Sequence, residues 1–108
     1  MSRALASVGP SRVSRHCQVS RSGDLVFAEI GDEAVALNAK NGVCYGLNSV
    51  GLRILQLIDR PERIDEVCRQ LIAVYEVDAK NCEREVIALL SELESEGLVV
   101  VERPSRRS

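Results

Sequence analysis

Between Gly42 and Leu55 the sequence Gly-Val-Cys-Tyr-Gly-Leu-Asn-Ser-Val-Gly-Leu-Arg-Ile-Leu changes its hydrophobic period within a few residues. Val43, Tyr45 and Leu47 alternate with the small residues Cys44 and Gly46, the period-two pattern of a strand with one packed face. From Ser49 onward the apolar residues Val50, Ile54, Leu57 and Ile58 fall at helical spacing. The stretch therefore reads as a short strand, Val43 to Leu47, that runs straight into a helix. Cys44 and Gly46 leave the second face of that strand open to close approach by another backbone.

Upstream the pattern is β throughout. Leu25 to Ile30 reads as one strand, entered from the turn at Ser22 to Asp24. Gly31-Asp32 is a turn pair, and Ala34 to Asn38 is the next strand. Asn41-Gly42 is the strongest hairpin signal, because both residue types accept positive φ. These connections are too short for parallel crossovers, so the three strands form an antiparallel meander. Gln18 to Ser20 offers a short additional strand.

Downstream the pattern is helical. The first helix is expected over Ser49 to Ile58, capped by Asn48 or Ser49, with a packing reason for Gly51 inside it. The second runs from about Ile64 to Tyr75, its stripe being Ile64, Val67, Cys68, Leu71, Ile72 and Tyr75, with Asp65 and Glu66 in the first turn. The third starts near Asp78 and ends before Gly97, a C′ glycine. Its inward stripe is Cys82, Val86, Leu89, Leu90 and Leu93. Leu98 to Val101 is a short last strand or an extended segment sealing the core. The fold class is α+β and winged-helix-like: a three-stranded antiparallel meander, three helices and a short C-terminal strand, one sheet covering the helices. Residues 16–102 form the domain, flanked by an expected mobile segment over 1–15 and an expected mobile basic tail over 103–108.

Composition narrows the function. With 108 residues and 45% apolar content the chain builds one modest core. A formal net charge of −2 speaks against general nucleic-acid binding. No apolar run approaches the length of a bilayer span, and the N-terminus lacks a secretory h-region, so a cytoplasmic location and no membrane partner are expected. The cysteines Cys17, Cys44, Cys68 and Cys82 have no close pairing and His16 is the single histidine. Zinc sites need ligands at short spacing, so Cys44, Cys68 and Cys82 are read as small packed residues and His16-Cys17 as the edge of a frayed segment. There is no nucleophile motif, phosphate loop or carboxylate pair to assign; neither an enzyme nor a cofactor is expected.

The ordered set Leu47-Asn48, Ile54-Leu55, Asp59, Ile64, Leu71, Tyr75, Glu85-Val86, Leu89-Leu90, Leu93 and Gly97-Leu98 resembles the PqqD family, named for a protein of pyrroloquinoline quinone biosynthesis and including the RiPP recognition elements of lasso-peptide pathways. The resemblance covers roughly Leu25 to Val101. It departs from the family where Arg60 and Arg63, with Pro61 between them, replace the usual Gly and Thr or Ser around the start of helix two. It implies a non-catalytic protein that binds the leader segment of a ribosomally made precursor peptide. The leader adds as a strand beside Val43, Cys44, Tyr45, Gly46 and Leu47. It also lies in a groove against Cys82, Glu85, Val86, Leu89, Leu90 and Leu93. With no fused enzyme in this sequence, it would act in trans, presenting the leader to processing enzymes such as a leader peptidase or cyclase; the Leu47-Asn48-Ser49-Val50-Gly51 junction favours the lasso-type branch over quinone-cofactor synthesis.

Elementary physics fits that role. An edge strand satisfies an extended peptide through its backbone, whatever the peptide's sequence. Val43 to Leu47 carries neither Lys nor Pro, the usual edge-blocking devices. An internal strand with both edges paired is the competing reading. Val86, Ile87, Leu89 and Leu90 cannot all face one partner at 100° per residue, so the surplus lines a groove or meets a second packed element. A winged-helix layout also suits DNA, but Asp78, Glu83, Glu85, Glu92, Glu94 and Glu96 against Lys80 and Arg84 would repel phosphates. The acidic face is either simply solvated or attracts a basic leader or partner. A dimerisation module is a further alternative.

Overall fold

A computed structural model describes residues 13–104. The elements in chain order are β1 (Gln18–Arg21), β2 (Leu25–Ile30), β3 (Glu33–Asn38), β4 (Cys44–Leu47), α1 (Ser49–Leu57), β5 (Glu62–Arg63), α2 (Ile64–Val74), α3 (Ala79–Ser95) and β6 (Val99–Glu102). The mixed α+β layout read from the sequence is present, with two differences. The strands form two small sheets rather than one. The expected meander is β2-β3-β4, whereas β1 sits between β5 and β6 in a second sheet. Glu62–Arg63, with no hydrophobic pattern of its own, is a strand only because it pairs with Gln18 and Val19.

Turn chemistry sets the meander's register. Gly31 (φ 66°) lets β2 turn into β3, so Ile30 faces Glu33 and Leu25 faces Asn38. At the second hairpin only Gly42 (φ 80°) takes a left-handed conformation, and Asn41 does not, contrary to the sequence expectation. Asn41 acts through its side chain instead, Oδ1 accepting from the Val43 N–H at 3.0 Å.

Helix ends follow local rules. The Asn48 side chain caps α1 by accepting from the Gly51 N–H at 3.0 Å. Asp78 caps α3 by accepting from Asn81 N–H at 3.1 Å. Arg63 gives α2 no side-chain cap and pairs with Asp65. Beyond α3, Gly97 (φ 76°) closes a Schellman turn: its N–H donates to Glu94 O at 3.0 Å and Leu98 N–H to Leu93 O at 2.9 Å.

The core joins both sheets to the helices. Val19, Ala36, Leu55, Ile58, Ile64, Val67, Leu90 and Leu98 are fully enclosed. Arg21 ties the two sheets to α1, its Nε donating to Leu55 O at 2.9 Å while its guanidinium lies 4.9 Å from the Phe27 ring centroid. Val13 and Cys17 are buried, and the Arg15 carbonyl accepts from Asp65 N–H at 3.0 Å, so residues 13–15 pack against the start of α2. The remainder of the expected mobile N-terminal segment, 1–12, and of the tail, 105–108, lies outside the described residues. Arg103, at the head of that tail, pairs with Glu94. No helix of the described residues is long and apolar enough to cross a membrane.

Candidate functional site

β4 pairs with β3 along one side and forms the end of its sheet, so among the described residues no strand covers its other side. The ladder's parity decides which backbone groups face that opening. Asn38 N–H donates to Val43 O at 2.9 Å, which makes Asn38–Val43 a hydrogen-bonded pair. Antiparallel pairs alternate, and the register runs Leu37–Cys44, Ala36–Tyr45, Val35–Gly46, Ala34–Leu47. Tyr45 and Leu47 therefore spend their amides and carbonyls on β3. Cys44 and Gly46 direct theirs to the open edge. Their side positions also lie on the sheet's outer face, while Tyr45 and Leu47 turn inward.

Beside this edge lies a cleft of about 560 Å³. The β4 end supplies Gly46 and Leu47, and the first turns of α1 supply Val50, Gly51 and Ile54. The far wall is Cys82, Glu85, Val86 and Leu89 of α3, with Leu71, Tyr75 and Val77 from the end of α2 and the segment after it. Gly51 lets α1 rest closely on β4: a Cβ there would crowd the Leu47 side chain, 3.0 Å from Cδ2 and 3.1 Å from Cβ. That contact is the packing reason expected for this glycine. At the opposite end of α3, the buried Asn38 side chain donates to Glu96 O at 2.8 Å, fastening the helix to the end of β3. A Cβ on Gly97 would lie 2.8 Å from Asn38 Nδ2, so glycine is needed for this fastening as well as for the turn.

The residues singled out from the sequence divide into three groups. Gly46, Leu47, Cys82, Glu85, Val86 and Leu89 line the cleft. Val43, Cys44 and Tyr45 belong to the hairpin and the open edge beside it. Leu90 (0% exposed) and Leu93 (1%) are enclosed in the core and do not line the cleft: Leu90 is turned about 100° from Leu89, and Leu93 lies one turn further along the helix. The sequence reading missed Val50, Leu71, Tyr75 and Val77 as cleft residues. Val77, apolar and following the end of the α2 stripe, was the available signal.

Burial and the Cys82 thiol push Cys68 up to about 12, and burial also raises Cys82, with Glu85 adding to it. Both thiols stay protonated at neutral pH and serve as apolar wall and core, not as nucleophiles. Cys44, expected to be packed, is exposed, and all four cysteines are free thiols. Burial, a hydrogen bond to Glu92 and the charges of Glu92 and Glu96 raise the Tyr45 hydroxyl. The phenol thus lies near the acidic C-terminal half of α3. Among the described residues no group of three or more His, Cys, Asp or Glu is placed to hold a metal ion. The arrangement offers backbone hydrogen bonds at an edge and an apolar cleft beside it, the two elements of strand-addition recognition.

A family model described as coenzyme PQQ synthesis protein D (PqqD) matches residues 33–99. Among solved structures, one described as TbiB1 in complex with the TbiA(beta) leader peptide is 34% identical. It has a TM-score of 0.68 and covers 74% of this chain and 93% of its own. Another, described as lasso peptide synthetase B1 complexed with the leader peptide, is 23% identical with a TM-score of 0.62, covering 76% of this chain and 96% of its own, and supports the fold. No curated protein matches the sequence.

Proposed function

Because the chain belongs to the PqqD family, we propose that it is a non-catalytic recognition protein for the leader segment of a ribosomally made precursor peptide. The observation that carries this reading is the open β4 edge set against the cleft, with Cys44 and Gly46 offering unspent backbone groups. An extended leader adds as a fourth strand there and lays alternate side chains into the cleft. The 34% identical neighbour held with a leader peptide supports leader recognition, and the Leu47-Asn48-Ser49-Val50-Gly51 junction favours the lasso-peptide branch over quinone-cofactor synthesis. The protein acts in the cytoplasm and hands the bound leader to processing enzymes such as a leader peptidase or a cyclase. Leu47, Cys82, Glu85, Val86 and Leu89 form the side-chain part of the site; Leu90 and Leu93 support it from the core.

The test is a fluorescence-anisotropy titration of the full chain with labelled leader peptides of lasso, quinone-cofactor and other modified-peptide classes. A DNA duplex is titrated at two salt concentrations in parallel. Saturable binding to a lasso-type leader is expected. Binding to the quinone-cofactor leader alone reassigns the pathway. Binding to the duplex alone, falling steeply with salt, overturns the proposal.

A further inference from the structure

The charged side chains around the cleft have one sign. Asp78 and Glu85 line it, and the two bases of α3, Lys80 and Arg84, do not. Glu92 and Glu96 stand seven and eleven residues beyond Glu85 on the same helical stripe, which leads from the cleft to Tyr45. Asp78 is occupied with the Asn81 N–H, and Glu92 stands near the Tyr45 hydroxyl. Glu85 and Glu96 have no ion-pair partner among the described residues. A stripe of carboxylates without counter-charge, bordering an apolar cleft, favours an occupant that brings cations with it.

The register says where those cations stand. In a strand added to β4, residues opposite Tyr45 and Leu47 turn toward α3, and those opposite Cys44 and Gly46 turn away. Side chains on the α3 side recur about every 7 Å. Glu85 and Glu96 are separated by about 16 Å of helix rise, a span that accommodates an apolar position between two basic ones. Resting on the leader-binding reading, we propose that the occupant is a cationic amphipathic segment, its Lys or Arg residues alternating onto the α3 side and selected by Glu85 and Glu96.

The experiment pans the full chain against a display library of short random peptides and then measures selected peptides by anisotropy. Lys or Arg is expected to be enriched at alternate positions together with large apolar residues. Replacing one such Lys by Ala should weaken binding about two- to five-fold, the range of a partly exposed charge pair. In the Glu85→Gln/Glu96→Gln protein that Lys-to-Ala difference should vanish while the apolar preference remains. Selected peptides without basic bias, or an undiminished Lys-to-Ala difference in the double variant, would overturn the charge inference. If these peptides still lose binding to the Gly46→Pro protein, the leader-binding reading survives. If no selected peptide is sensitive to Gly46→Pro, that reading fails and this inference with it.

Discussion

Gly46→Pro separates edge recognition from every other use of the cleft. The Gly46 N–H faces the open side of β4, so proline removes no rung of the β3 ladder. A Cβ at this position meets no heavy atom within 4 Å. The preceding residue, Tyr45, is already in a strand, the conformation that proline requires before it. Folding should therefore lose no more than about 1 kcal/mol, a shift of roughly 5 °C in the thermal midpoint. Binding loses a donor and leaves a peptide carbonyl unpaired, about 1–3 kcal/mol, or roughly five- to 150-fold in Kd. The assay is anisotropy with whichever leader peptide binds best in the titration proposed above, set beside a thermal melt. Gly46→Ala is the control, because it adds a methyl and keeps the donor; its Kd should stay within about two-fold, since open surface changes of this kind are worth under 0.5 kcal/mol. A folded Gly46→Pro protein with unchanged Kd refutes the strand-addition geometry. An alanine variant as weak as the proline one would show that space, not the donor, is what matters.

On α3, Leu89→Asp should weaken leader binding by about tenfold, as truncating an interface anchor does, with a nearly unchanged urea midpoint. Leu90→Ala, one residue on, should cost about 2–5 kcal/mol of stability as a core cavity; equal stability losses in the two variants would contradict their placement. Gly97→Ala should cost about 2–3 kcal/mol in urea unfolding, combining the left-handed φ of 76° with the crowding of Asn38 Nδ2. Alkaline pH should destabilise the protein. The Cys68 thiol rises from 9.0 to about 12 on folding, so its contribution is complete below pH 9 and is lost as pH climbs toward 12. Tyr45 and Cys82 shift in the same direction. The urea midpoint should fall across this window, and the slope should flatten in Cys68→Ala; a midpoint that rises with pH would contradict the assignment.

Local physics made the meander and the three helices legible. Gly-Asp and Asn-Gly turns, the Asn48 cap and Gly97 each act within a few residues of themselves, and they bracket the elements to within a residue or two. The second sheet was not legible for a matching reason. β1 finds β6 across some eighty residues of chain, Gln18 facing Glu102, and nothing in either short strand names its partner. β5 is more opaque still, since Glu62 and Arg63 carry no periodicity. The edge position of β4 is likewise a property of the assembled sheet and not of its four residues. Within α3, the distinction between Leu89 in the cleft and Leu90 in the core turns on about 100° of rotation, which the apolar pattern alone leaves ambiguous when adjacent leucines occur, and Leu93 differs from Leu89 by one turn of height along the same stripe.

The alternation of β4 has an evolutionary consequence. A peptide held at an edge through Cys44 and Gly46 would owe part of its grip to backbone atoms, which every residue except proline supplies alike. Only its α3-facing positions answer to side chains of this protein. The intervening positions are free to drift, or to be claimed by a second reader, without loosening the first. The stretch of a leader lying against these four residues could therefore change at every other position while the same small protein continued to hold it.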